Sequence, residues 1–233
     1  NNFVLPLQEL LLRITEETSL VFLCNPGNPT GTVTGKAELV RLAERCEETK
    51  TFLCVDECFL PFLPGEPALS MKGETVRFPH LAVLRAFTKV YGMPGLRLGY
   101  LMTGNRELAG RLKEKLPPWN VSLPAQLAGA AALKAEGYLE KTRELIRGEK
   151  EKLVSLLLET VADRVYPGSA NFLFFHGREG LKEALLDRKI LIRDCSNFKG
   201  LSRGYYRICI RTQEENERLK EILYSLAGKE AGK

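Results

Sequence analysis

The sequence predicts an α/β chain in which a mostly parallel sheet is followed by a smaller α+β domain. Three observations predict it. Short apolar runs alternate with helical periods in the first part, a long amphipathic helix spans 138–160, and strand and helix signals alternate again after it. Residues 1–136 are assigned to the first domain and 137–233 to the second. A chain of 233 residues with 44% hydrophobic content can bury one sizeable core or two modest ones.

Taken in order, Pro6 opens a helix to about Ile14, and the apolar run Leu20 to Cys24 reads as a strand. A helix over 34–48 and a strand over 51–56 follow, then strands over 81–86 and 98–103. Helices are predicted at 105–116 and, beyond Pro117 and Pro118, at 124–135 with Pro124 at its first position. The 138–160 helix carries Leu139, Ile146, Leu153 and Leu157 on one face, with charged residues elsewhere. Strands at 171–175, 190–192 and 205–210 then alternate with helices at 178–187 and 213–226.

Three segments carry chemistry. The run Leu81 to Leu84 delivers Thr88, Lys89, a glycine-rich turn and Arg97 at close spacing. A lysine at an apolar strand end is expected to be desolvated, which favours the neutral, nucleophilic amine. An arginine eight residues on, across glycines that permit close approach, suits a phosphate. An aldehyde that carries a phosphate is pyridoxal phosphate. Read alone, the lysine also fits a solvated loop. Upstream, the strand at Cys24 breaks into Asn25-Pro26-Gly27-Asn28-Pro29-Thr30-Gly31, a turn-rich strand-to-helix loop. The third segment ends in Asp56-Glu57-Cys58-Phe59. A carboxylate at the carboxyl end of a parallel strand is where open α/β sheets contact ligands, although such an acid also serves as a cap.

These motifs, in this order, resemble the fold-type-I pyridoxal-phosphate enzymes, the aspartate-aminotransferase superfamily. The resemblance implies that Lys89 holds the cofactor covalently and that Asp56 pairs with the pyridine nitrogen. Asn28 is implied to face the ring oxygen and also to bind substrate, and Thr88 and Arg97 to hold the phosphate. It further implies an early sheet of four adjacent strands with the fourth antiparallel. The tail Arg193-Asp194-Cys195-Ser196-Asn197-Phe198-Lys199-Gly200-Leu201, then Tyr205-Tyr206-Arg207 and Arg211, is similar to the histidinol-phosphate aminotransferase group, nearest its threonine-phosphate decarboxylase branch of cobalamin biosynthesis. Phe59, where many aminotransferases carry Tyr, points to the same branch. Arg207 is then implied to clamp the substrate α-carboxylate through its planar fork, with Arg193 and Arg211 as candidates for the substrate phosphate.

The resemblance departs at Ala86, where the family has a hydroxyl on the cofactor phosphate. One bond to a charged group is lost there, worth about 1.5–3 kcal/mol. The resemblance covers only the later part of the family pattern. The phosphate-gripping glycine loop, the ring-stacking aromatic and the N-terminal arm have no counterpart before Asn25, and residue 1 is Asn. The chain is therefore expected to be a fragment whose large cofactor domain is incomplete, to bind pyridoxal phosphate weakly or not at all, and to be inactive alone. The expected parent is a homodimeric lyase acting on a phosphorylated amino acid. A histidinol-phosphate-type aminotransferase is the alternative, and a non-catalytic fragment a third reading. A regulator with a DNA-binding head would need sequence upstream of Asn1.

Composition bounds the remainder. The 34 basic and 29 acidic residues give a net charge of +5, spread along the chain, which suits small anionic substrates rather than nucleic acid. Six cysteines and two histidines lack paired metal spacing. Cys24, Cys46, Cys54 and Cys209 read as small core residues. No apolar run approaches a membrane span and nothing resembles a signal peptide, so a reducing cytoplasm is expected.

Overall fold

In the computed structural model, which describes residues 2–228, the apolar runs form two sheets in two units. The first unit holds Phe3–Gly27 and Val33–Leu139. Its strands are β1 (Leu20–Cys24), β2 (Phe52–Asp56), β3 (Leu81–Ala86) and β4 (Gly99–Thr103), side by side in that order. The first three are parallel and β4 runs antiparallel to β3, the topology that the resemblance implied. Helices α1 (Leu7–Arg13), α2 (Lys36–Glu48), α3 (Glu66–Leu69), α4 (Phe87–Val90), α5 (Arg106–Lys115) and α6 (Leu123–Leu133) join them.

One face of this sheet is sealed by α2. Leu39, Leu42, Ala43 and Cys46 form a helical stripe that packs in one core with Leu53, Val55, Leu81 and Val83. Alternation along β2 sends Phe52, Cys54 and Asp56 to the other face. Both outer strands carry exposed apolar residues, Leu20 and Phe22 on β1 and Tyr100 and Leu101 on β4, a surface that invites pairing or cover. The caps are those the sequence favours: Asn105 and Ser122 accept from Leu108 N–H and Ala125 N–H. Ser122 as cap moves Pro124 one place inside the first position predicted for it, still in the first turn.

Beyond the tip of β2 lies a buried polar network that periodicity does not reveal. Glu57 is fully buried, and Arg85 donates to its Oε2 from Nε at 3.0 Å and from Nη2 at 2.7 Å. Ser70 Oγ donates to the same oxygen at 2.7 Å, and Met71 N–H donates to Oε1 at 2.7 Å. Arg85 Nη2 also reaches Glu66 Oε1 at 2.6 Å. Burial lowers the Arg85 pKa, but Glu57 and Glu66 outweigh it and hold the guanidinium above its ordinary value.

The second unit contains Asn28–Thr32 and the chain from Glu140 onward. Its long helix is α7 (Tyr138–Thr160), which starts two residues earlier, and its sheet order is β5 (Ala162–Tyr166), β6 (Phe172–Gly177), β8 (Tyr205–Cys209), β7 (Arg193–Asp194). Helices α8 (Leu181–Leu186) and α9 (Gln213–Leu226) complete it. The apolar run Phe172–Phe175 is buried throughout, as a central strand requires.

Several predicted details change. β5 was not predicted, because Ala162-Asp163-Arg164-Val165-Tyr166 is a half-polar edge strand with no apolar run. The strand expected at 190–192 is displaced to Arg193–Asp194. Lys189 adopts a left-handed turn, Ile190 N–H returns to Leu185 O, and pairing with β8 begins only at Arg193. Cys46 is buried as expected, but Cys24 and Cys54 are only half-buried and Cys209 is exposed. Glu149, one of the charged residues outside the apolar face named for this helix, is buried and bonded to Lys152 and Asn216.

Arg85→Met should strand the Glu57 carboxylate in the core and reduce unfolding free energy by about 3–5 kcal/mol, whereas Glu57→Leu with Arg85→Leu should recover much of it. Urea denaturation of the three proteins checks this. A loss below about 1 kcal/mol for Arg85→Met would mean that water reaches the pair.

Candidate active site

The site in the first unit is set by register. Cys24 lies opposite Asp56, and Asp56 opposite Leu84, so the carboxyl ends of three parallel strands finish in one row. Asp56 Oδ1 accepts the Cys58 N–H at 2.9 Å, and its Oδ2 lies 4.0 Å from Cys24 Sγ. Burial, then the Asp56 charge, pushes the Cys24 thiol up. Burial, a hydrogen bond to Asp56 and its charge push Cys58 to about 12, against the opposing pull of Lys89. Both thiols stay protonated at neutral pH and face Asp56 as weak donors. Among the described residues Asp56 has no ion-pair partner.

Lys89 follows β3 in the one-turn helix α4, where Phe87 and Val90 are buried and hold the turn down. Thr88 beside it is half-buried. Lys89 itself is exposed, with Nζ 5.7 Å from the Phe59 ring centroid. The desolvation expected of this lysine is therefore not supplied by the described residues, because the buried positions of α4 are i and i+3 and Lys89 lies between them. It too has no ion-pair partner among them. Ala86 caps α4 with no side-chain bond. Arg97 ends the turn Pro94–Leu96 in the left-handed region and donates from Nη1 to Pro94 O at 2.7 Å. A Cβ on Gly99 would lie 3.0 Å from Arg85 O, a contact tight enough that the strand would have to ease to admit one.

The second unit brings together a different pair. Arg207 on β8 donates from Nη1 to Asn28 Oδ1, and its guanidinium lies 4.9 Å from the Phe172 ring centroid. Arg193 is its register partner on β7, so two cations share one sheet face. Burial, with a contribution from Arg193, lowers the Arg207 pKa below its ordinary value. Arg193 donates to Asn197 Oδ1 at 3.0 Å and lies 5.7 Å from the Phe198 ring. Arg211 is tied to Glu215 through Nε and Nη2.

The sequence reading missed Asn25, Phe172 and the thiols of Cys24 and Cys58. Asn25 is fully buried and closes the base of its loop, accepting from Thr34 N–H at 2.8 Å and donating to Thr34 O at 3.1 Å. Cys58 was visible as the second residue after Asp56, a spacing at which a backbone N–H can reach an aspartate oxygen. Phe172 is 35 residues from Arg207 and carried no signal. An unpaired carboxylate and an unpaired ammonium at adjacent strand ends fit a phosphorylated pyridine aldehyde, whose ring nitrogen is a cation and whose carbonyl takes an amine. The described residues contain no group of three metal-ligating side chains.

The chain matches the family described as aminotransferase class I and II over residues 1–223. It is 38% identical over 221 residues to the threonine-phosphate decarboxylase of Salmonella typhimurium, covering 92% of this chain and 59% of that protein. A histidinol-phosphate aminotransferase of Methanococcus maripaludis is 30% identical over 228 residues, 96% of this chain and 60% of that one. The crystal structure of the histidinol-phosphate aminotransferase from Clostridium acetobutylicum matches with a TM-score of 0.91 at 30% identity, covering 98% of this chain and 69% of that one. The chain spans about 60% of the length of these curated relatives.

The grip on Arg211 can be read by titration. Bonds from Arg211 and Thr212 hold the Glu215 carboxyl down to about 2, against an ordinary 4.5. Their stabilisation is thus complete above 4.5 and is lost as pH falls through about 2. Carboxyl NMR should give a Glu215 midpoint near 2 that returns toward 4.5 in Arg211→Ala. A midpoint already near 4.5 in the unaltered chain would mean that Arg211 is free for other anions.

Proposed function

The chain belongs to the class I and II aminotransferase family, and we propose that it serves a pyridoxal-phosphate reaction on a phosphorylated amino acid, as a threonine-phosphate decarboxylase-type lyase of cobalamin biosynthesis. The observation that carries the reading is the pair Asp56 and Lys89, placed at the ends of adjacent parallel strands with no ion-pair partner among the described residues. In this reading Lys89 holds the cofactor, Asp56 faces its ring nitrogen, and Thr88 and Arg97 take its phosphate. Asn28 faces the ring oxygen.

Bound pyridoxal phosphate supplies an electron sink for charge that develops at the substrate Cα. The chain supplies orientation. Arg207 presents two parallel donors to the α-carboxylate, and Phe172 beneath it and Asn28 beside it fix the plane of that fork. Arg193, its register partner, is the first candidate for the substrate phosphate, and Arg211 is a second that would have to give up part of its hold on Glu215. The Cys58 N–H orients the Asp56 carboxylate, with the Cys24 thiol beside its other oxygen. A free Lys89 amine can carry a proton to or from Cα.

The decarboxylase reading rests on the 38% identity to the Salmonella typhimurium enzyme and on Phe59, which offers Lys89 a ring rather than a hydroxyl. The structural match to a histidinol-phosphate aminotransferase supports the second reading, transamination by the same residues. The parent is proposed to be a cytoplasmic homodimer. All six cysteines are free, as a reducing compartment requires.

Two measurements test this on the gene product that carries the chain. Borohydride treatment with pyridoxal phosphate should fix a pyridoxyl group on the peptide containing Lys89, and Lys89→Ala should remove both label and turnover. Threonine phosphate should yield carbon dioxide and the amino-alcohol phosphate. Normal turnover in Lys89→Ala would end the enzyme reading. Faster transfer of the amino group from histidinol phosphate to 2-oxoglutarate would establish the alternative.

A further inference from the structure

We infer that Lys150 is a positioning residue for the Asn28–Arg207 pair, acting through the touching backbones of Gly168 and Gly31. The inference rests on the reading of Arg207 as the carboxylate clamp. Lys150 lies on α7, half-buried, and donates from Nζ to the Gly168 carbonyl. It has no acidic partner among the described residues, and burial pushes its pKa below the ordinary value. A lysine stem on a helix ordinarily runs its ammonium out to water, so a half-buried ammonium held at one carbonyl marks a point that is being fixed.

From Gly168 the connection continues without slack. Ser169 N–H donates to Gly31 O at 2.7 Å. A Cβ on Gly168 would lie 2.6 Å from Thr30 O, and one on Gly31 would lie 3.2 Å from Gly168 Cα. Gly31 is also left-handed, with φ of 73°, a conformation that favours glycine there. A Cβ on Gly31 would also lie 3.4 Å from the Phe172 ring edge, and that ring carries the Arg207 guanidinium. Three residues before Gly31, Asn28 accepts from Arg207. Lys150 thus sets the height of the Gly168 turn. That turn sets Gly31, and Gly31 sets both the amide and the platform that orient Arg207. No step of this series leaves the second unit.

The test compares Lys150→Met, Lys150→Arg and Gly168→Ala in the intact chain. Amide exchange at Ser169 should accelerate about tenfold or more in Lys150→Met, and Lys150→Arg should restore it, because arginine keeps a donor at the carbonyl. Gly168→Ala, which leaves Lys150 in place but displaces Gly31, should reproduce the Met pattern. Affinity is then read with two probes, O-phospho-L-threonine and phosphoethanolamine, which lacks the carboxylate. Lys150→Met should weaken the first about tenfold and leave the second unchanged. Unchanged exchange at Ser169, or equal weakening of both probes, would overturn the inference. Arg207→Ala serves as the separate control. If it binds O-phospho-L-threonine as well as the unaltered chain, the carboxylate assignment fails, while the exchange result still judges the Lys150 connection.

Discussion

Everything at the first site depends on the buried pair Glu57–Arg85. Asp56 and Glu57 are neighbours, and alternation along a strand sends neighbours to opposite faces. Burying Glu57 against Arg85, Ser70 and the Met71 amide holds that acid on the inward face that Leu53 and Val55 already occupy. Asp56 must then face Cys24 and the thiol-lined side. A slip of one residue would exchange the two carboxylates, so the pair acts as a register lock as much as a source of stability. Arg85 stands four residues before Lys89, so the same lock anchors the strand end from which α4 projects its lysine.

The second unit solves a different problem by the same means. Arg207 must keep a guanidinium half-buried in a fixed plane, which costs desolvation, as its lowered pKa shows. A ring beneath and an amide oxygen beside it offset that cost. Within the second unit, the segment that supplies the amide is seated on the Gly168 turn through the Ser169 N–H to Gly31 O bond. The two asparagines of one motif therefore do unlike jobs. Asn25 satisfies backbone groups, and Asn28 meets a side chain.

Much of this was legible in the sequence, and the exceptions share a cause. Strands β1 and β3 announced themselves as continuous apolar runs, although Leu20 and Phe22 of β1 are exposed, and the motifs that hold Asn28, Asp56 and Lys89 each fall at or just after a strand. β5 and β7 escaped because their pairing involves polar residues such as Arg164, Arg193 and Asp194. Glu57–Arg85, Phe172–Arg207 and Lys150–Gly168 join residues 28, 35 and 18 positions apart, and no local period encodes such pairs. The solvation of Lys89 was misjudged for a related reason. Apolar neighbours in sequence predicted burial, but α4 turns those neighbours inward and the lysine outward.

The most direct test of the register lock is hydrogen exchange under native conditions in Arg85→Met. Three amides of β2 and its tip report separately: Leu53 N–H to His80 O, Glu57 N–H to Leu84 O, and Cys58 N–H to Asp56 Oδ1. If the pair fixes the strand end, Glu57 and Cys58 lose protection while Leu53 keeps it. If all three accelerate in parallel, the pair contributes only to global stability and Asp56 is positioned by something else.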